Sequence, residues 1–324
     1  MQKIKRTVLV ICLILVIVLV GVGASWLMRK NKVETAEERA SIVATNFPAY
    51  DFARAVVGDK AKVKMLLKPG AESHSFEPSP QDIKDIKSAD LFIYNGGESD
   101  EWVEKILRAS DMKVQSLKMM DAVKTLPEET IEGMEVEDEE REAVPDEQEE
   151  EDEHVWTTPQ NAIKIIDSIE TKISEIRPTQ QLAFKQNAEK YKKQLQKIDA
   201  DFRAVVKNAR QREMIFADRF PFRYFSAEYG IKYYAAFSGC AEKTEATSKT
   251  IAFLVQKVKQ RQLKYILKIE LSDGRVAEAV ARESGAKIKE FNSAHNISQA
   301  DFERGLTYAQ IMRQNVLVLK QVLN

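Results

Sequence analysis

The stretch DLFIYNGGESDEWVEKILRA (Asp90–Ala109) decides the fold. Leu91 to Tyr94 is a short apolar run that stops at the glycine pair Gly96-Gly97, which reads as a strand running into a turn. The residues that follow, SDEWVEKILRA, carry their apolar positions at helical spacing. The same strand-then-helix unit recurs on both sides. SIVAT (Ser41–Thr45) is a β-type run, and FPAYDFARAVVGD is helical after Pro48 and closed by Gly58. AKVKMLLKPG is a strand leading into a Pro-Gly loop, and SPQDIKDIKSA opens with a Ser-Pro helix signal. Further on, EMIFAD, KYYAAF, KYILKIE and KIKEFN alternate with FRYFSAEYG, TIAFLVQKVKQRQ, GRVAEAVARESG and YAQIMRQNVLVLKQVL. Alternation of this kind predicts α/β architecture with parallel strands.

Between the two sets of units the character changes. Thr158 to Ala209 is almost wholly helical in pattern, and Thr179 to Ala209 holds no glycine or proline. About 30 residues without a breaker is long for one globular helix. It reads as a rod joining two halves, because heptads are not sustained as a coiled coil requires. The expected organisation is a βα lobe over 41–178, a linking helix over 179–209 and a second βα lobe over 210–324. A ligand of such a pair belongs in the crevice between lobes, at the carboxyl ends of strands.

Two segments stand apart. Thr7 to Met28 is 22 residues without a charge, roughly 33 Å as a helix and enough to span a bilayer. Lys3, Lys5 and Arg6 precede it, and Arg29, Lys30 and Lys32 follow. Residues 1–32 therefore read as a signal peptide or, given the length of the run, a membrane anchor, with 33–40 as a polar spacer. The remainder is expected outside the cytoplasm. The second segment is acidic. Sixteen acids and one arginine (Arg141) fall between Glu128 and Glu153, which against an overall charge of -1 leaves the rest of the chain near +14. That composition cannot build a core, so 128–153 is expected to be a mobile, solvated insertion in the first lobe. No basic and aromatic pattern points to nucleic acid. Cys240 is alone in the part after the leader, so no disulfide forms there.

The chain has three histidines. His74 follows a strand within the Pro/Gly loop LKPGAESHSFEPSP, and His154 precedes the helix signalled by Pro159 in EHVWTTPQN. Taken singly, each reads as well as a solvated loop residue as a metal ligand. Asp218, at the tip of EMIFAD, reads either as the cap of the next helix or as a third ligand. Two imidazoles with one or two oxygens suit Zn2+, and Mn2+ nearly as well.

SIVATNFPAYDFARAVVGD, LLKPGAESHSFEPSPQDIKDIKSADLFIYNGGESDEWVEKIL, HVWTTPQNAIKIIDSI and TYAQIMRQNVLVLKQ together resemble the zinc/manganese solute-binding proteins of bacterial ABC importers, of the zinc-uptake receptor type. The resemblance covers nearly all of the chain after Ala40. It implies two βα lobes pinned by one rigid helix, a metal held between them, and no catalysis. It also implies an ABC permease as partner and a monomer, while the leader itself is expected either to attach the protein to the membrane through the N-terminal helix or to be released by signal cleavage. His74 matches the family's first metal-binding histidine and His154 that of its HVW element. The third position, before FRYF, falls at Arg219 with Asp218 beside it, and a guanidinium does not hold a cation, so Asp218 is the expected ligand. The fourth matches Asn292, with His295 three residues on as a substitute and Glu270 as a supporting carboxylate. The lipoprotein cysteine of the family is missing, and the acid run holds no histidine before position 154. A surface adhesin of the same fold is the alternative role. A metallohydrolase is disfavoured, because no HExxH motif is present.

Overall fold

The computed structural model describes residues 39–72, 76–109, 114–134, 150–239, 241 and 245–324. Among these residues no helix is long and apolar enough to cross a membrane. The apolar leader and the core of the acid run lie outside them, as does His74.

The first half is built on strands β1 (Ala40–Ala44), β2 (Ala61–Met65), β3 (Leu91–Tyr94) and β4 (Gln115–Lys118), in the order β2-β1-β3-β4. The second uses β5 (Glu213–Arg219), β6 (Lys232–Phe237), β7 (Tyr265–Lys268) and β8 (Lys287–Glu290), in the order β6-β5-β7-β8. The pairs β1·β3, β3·β4, β5·β6, β5·β7 and β7·β8 all run parallel. Parallel sheets of this kind are covered on both faces. That is why β3 is buried at every position and β5 is buried from Met214 to Asp218. Leu66, Ile86, Phe92 and Val103 join the first core, and Ile215, Leu254, Ile266 and Val280 the second.

The helices begin where side chains satisfy their first N–H groups. Asn46 caps α1 (Phe47–Val57), Ser79 forms a capping box with Asp82 on α2 (Pro80–Ser88), and α3 spans Glu101–Ala109. Thr158 caps α4 (Pro159–Ile176), with Pro159 at its first position. Helix α5 (Gln181–Lys207) runs 27 residues, roughly 40 Å, close to the expected 179–209. Pro178 to Gln180 form a separate 3-10 turn before it. Two buried carboxylates bind this helix to both halves. The Tyr191 hydroxyl donates to Asp51 Oδ2 of α1 at 2.6 Å, and Asp51 Oδ2 also accepts from the Tyr308 N–H at 3.0 Å. Asp199 accepts from Gln160 of α4 and from the Tyr229 hydroxyl at 2.8 Å. Helices α6 (Arg223–Tyr229), α7 (Ser248–Arg261) and α8 (Arg275–Ser284) flank the second sheet, and α9 (Gln299–Glu303) and α10 (Tyr308–Val322) complete the chain.

The acid insertion needs a correction at its edges. Asp152 and Glu153 are 2% and 1% exposed, not solvated. Asp152 N–H donates to Leu126 O at 2.8 Å, Glu128 N–H to Glu150 O at 2.7 Å, and Pro127 bridges Glu151 in antiparallel fashion. The Glu153 carboxylate accepts from the Ser99 N–H and hydroxyl at 2.9 and 2.6 Å. The Ser99 donors offset the burial of the Glu153 carboxylate, and the ordered stem runs from Glu150 to Asp152, just before His154. The expected mobility of the remainder falls on 135–149, outside the described residues.

Candidate metal centre

The carboxyl ends of β5, β7 and β8 meet the loop after β2 around a cavity of about 120 Å³. Its wall includes Glu72, His154, Arg219, Gly239, Glu270 and His295.

His154 reaches it from the 3-10 turn that precedes α4, and it is 1% exposed. Asp152 Oδ1 accepts from the His154 N–H at 2.8 Å and faces its Nδ1 at 3.2 Å. A carboxylate only accepts, so the proton belongs on Nδ1 and the lone pair on Nε2. This is the carboxylate–histidine arrangement that orients an imidazole for a metal. Burial alone would push the imidazole's pKa down; Asp152, with Glu153 and Glu128, outweighs burial and holds it above the ordinary value.

His295 enters from the loop after β8. Its ring lies 5.5 Å from that of His154 at 86°, and 5.0 Å from Trp156. Trp156 wedges against both imidazoles and is itself anchored, its Nε1–H donating to Ser293 O at 2.8 Å. Glu270 shapes the His295 loop. Its Oε1 accepts from the Ser293 hydroxyl at 2.6 Å and the His295 N–H at 3.1 Å, and its Oε2 from the Ser293 N–H at 2.6 Å. The carboxyl is buried, and burial raises its pKa despite those donors. Two strained residues flank the pair: Leu271 at φ 57° and Ala294 at φ 59°. Left-handed backbone costs a non-glycine residue about 1–2 kcal/mol, so the surrounding bonds must hold both. Asn292 Oδ1 supplies one such bond, accepting from the Ala294 N–H at 2.8 Å.

The sequence-expected positions are distributed unevenly. His154 faces the cavity, while His74 lies outside the described residues. Asp218 is buried at the end of β5 and does not line the cavity; its oxygens accept from the Arg219 N–H at 2.8 Å and the Ile269 N–H at 3.3 Å. Burial raises its pKa, with the Ser272 side chain and those N–H groups opposing. Asn292 spends its side chain on the backbone, and His295 takes the cavity-facing place. Glu72, Arg219 and Gly239 share the wall although no local sequence signal links them. A Cβ on Gly239 would stand 3.0 Å from the His154 ring, so only glycine fits easily there. Among the described residues no set of three or more His, Cys, Asp or Glu side chains is spaced to hold a metal. His154 and His295 are two imidazoles that meet at the cavity wall.

Residues 42–322 match the family described as zinc-uptake complex component A, periplasmic. The high-affinity zinc uptake system protein ZnuA of Bacillus subtilis is 30% identical over 298 residues, 91% of each chain. The zinc-binding lipoprotein AdcA of Streptococcus pneumoniae is 29% identical over 306 residues, 94% of this chain; the chain spans 60% of that relative's length. The crystal structure of the Zn(II)-bound ZnuA-like domain of S. pneumoniae AdcA superposes with a TM-score of 0.73 at 29% identity, over 88% of this chain and 99% of that domain. With one family spanning both sheets, the long helix and the loops that carry His154 and His295, the chain belongs to the zinc-uptake complex component A family.

Proposed function

We propose that this protein is an extracytoplasmic receptor that captures Zn2+ in the cavity between the two sheets and delivers it to the permease of an ABC importer. The observation that carries the reading is the pair of imidazoles, His154 and His295, brought edge to face 5.5 Å apart at the ends of two separate halves. Each is held by a buried carboxylate, Asp152 under the ring of His154 and Glu270 behind the loop of His295. Imidazole donors favour zinc over manganese, which suits oxygen-rich sites. The proposed ligands are His154, His295 and, from the loop after β2, His74. Asp218 is the expected oxygen ligand from sequence, but its hydrogen bonds to two backbone N–H groups support a structural part beside the site. Capture and release need no chemistry on the cargo, so no catalytic residue is assigned. Attachment through the leader at 7–28, and a monomeric state, complete the proposal.

Zinc affinity measured against a competing chromophoric chelator tests it. His154→Ala and His295→Ala are each expected to weaken binding at least a hundredfold, and Asp218→Asn less than tenfold. Unchanged affinity in both histidine variants would refute the site, and a collapse in Asp218→Asn alone would restore Asp218 as the ligand.

A further inference from the structure

Two kinds of bond tie the loop after β2 to the second half around the cavity. The first kind is neutral and centres on one buried side chain. Asn296, 4% exposed, donates from Nδ2 to Lys68 O at 2.9 Å and to Ala71 O at 2.8 Å, and the Gly70 N–H donates to Ile297 O at 2.8 Å. The second is ionic and lies one residue further along. Arg219 Nη1 and Nη2 donate to Glu72 Oε1 and Oε2 at 3.4 and 3.2 Å. The side chain of Arg219 is 15% exposed and that of Glu72 48%.

Arg219 is an odd wall for a cation. A guanidinium has no lone pair to offer and repels a divalent ion. Its direction is nonetheless specified: the pairing of β5 with β6 slips between Phe216 and Arg219, and such an irregularity re-aims a side chain at a strand end. What the re-aimed group does is grip a carboxylate on the opposite side of the mouth. Lys68 to Ala71 are fastened by neutral bonds to the Asn296 amide and the Ile297 carbonyl; Glu72, the next residue, is fastened by an ion pair that solvent and salt can reach.

We propose that the Arg219–Glu72 pair is the closure of this cavity's mouth, a positioning pair that sets how fast a divalent cation enters and leaves, while the imidazoles set how tightly it is held. The inference rests on the zinc-site reading above. A two-pronged but partly solvated pair contributes on the order of one kcal/mol. By the Boltzmann relation, that corresponds to roughly a fivefold change in how often the mouth opens.

The test uses the double variant Glu72→Gln/Arg219→Gln, which removes the ion pair and leaves the net charge at the mouth unchanged. Stopped-flow uptake of Zn2+, and release into excess chelator, are both expected to quicken about fivefold, with equilibrium affinity within twofold of the parent. In the parent, release is also expected to quicken as potassium nitrate is raised from low to molar concentration, and in the double variant it is not. Unchanged rates, or a change confined to release with a matching loss of affinity, would overturn the closure. The salt response of the parent alone decides the matter if the double variant does not fold. If zinc affinity survives loss of His154 and His295, the site itself is wrong and the closure falls with it; if those variants lose zinc while the rates ignore the ion pair, only the closure fails.

Discussion

Replacing Glu270 by glutamine separates the placing of His295 from the stability of the fold. Three donors converge on the carboxylate: the Ser293 hydroxyl and His295 N–H on Oε1, and the Ser293 N–H on Oε2. Glutamine has one acceptor oxygen. Set at the Oε1 position, it keeps two of the bonds, but its NH2 then faces the Ser293 N–H at a contact that was 2.6 Å. A buried donor left without an acceptor costs about 1–3 kcal/mol. The loop can escape by shifting Ser293 away, and His295 shifts with it, because Ala294 is already held at a strained φ of 59°. A metal that needs His295 in place must then supply that energy on binding. At about 1.4 kcal/mol per tenfold, zinc affinity is expected to fall between fivefold and 150-fold. Loss of a negative charge near the cation acts in the same direction. Stability responds differently, since the substitution also removes a carboxyl whose charged form burial disfavours. The two effects oppose each other, and the apo-protein's melting temperature is expected to stay within a few degrees. Chelator competition and differential scanning calorimetry on the same preparations read the two quantities. Zinc affinity within twofold of the parent would refute the positioning role of Glu270.

Gly239→Ala is a finer probe of the other imidazole: its added methyl meets the His154 ring at about 3.0 Å, so the ring must give by a few tenths of an ångström. Zinc affinity is expected to drop several-fold with little loss of melting temperature, and an unaltered affinity would show that the ring has room. Asp100 sets a pH dependence of stability, because burial first, and then the nearby Glu153, raise its carboxyl from 3.8 to about 7 against the pull of the Gly96 and Asn95 N–H groups and the Thr45 hydroxyl. The folded state therefore holds a proton that the unfolded chain releases near pH 4, and stability falls as pH rises from about 4 to about 7, by up to about 4 kcal/mol. All three donors converge on Oδ2, where an asparagine oxygen can stand. Asp100→Asn is thus expected to flatten that fall and to match or exceed the parent's stability at pH 7.5; equal slopes in urea titrations across the window would count against it.

The parts of this structure legible in sequence are those set by local pattern. The length of α5 follows from a run without breakers, with Pro178 on one side and Asn208 on the other. Cap and proline together place the start of α4, and so the height at which His154 stands. What was not legible depends on partners far along the chain. Strand β4, Gln115–Lys118, is a short polar edge whose only mark is its pairing to β3, and polar residues at an edge carry no alternation to read. Asp152 and Glu153 look like the end of a solvated acid run, yet Ser99 and the stem at Leu126 supply the hydrogen bonds that let them be buried.

The choice between Asp218 and His295 shows the limit most sharply. Strand periodicity assigns faces by twos, and a single irregularity reverses every assignment beyond it. The slip in β5 lies between Phe216 and Arg219, so the residue next to the expected ligand turns toward the cavity and Asp218 turns onto the N–H groups of Arg219 and Ile269. A loop with a buried carboxylate behind it then brings His295 to the place the strand end leaves open. The strand tip supplies a clamp across the mouth, and the flanking loop supplies the imidazole. A family pattern read position by position identifies the cavity, but the direction of each side chain at its wall is decided by backbone irregularities that the pattern does not record.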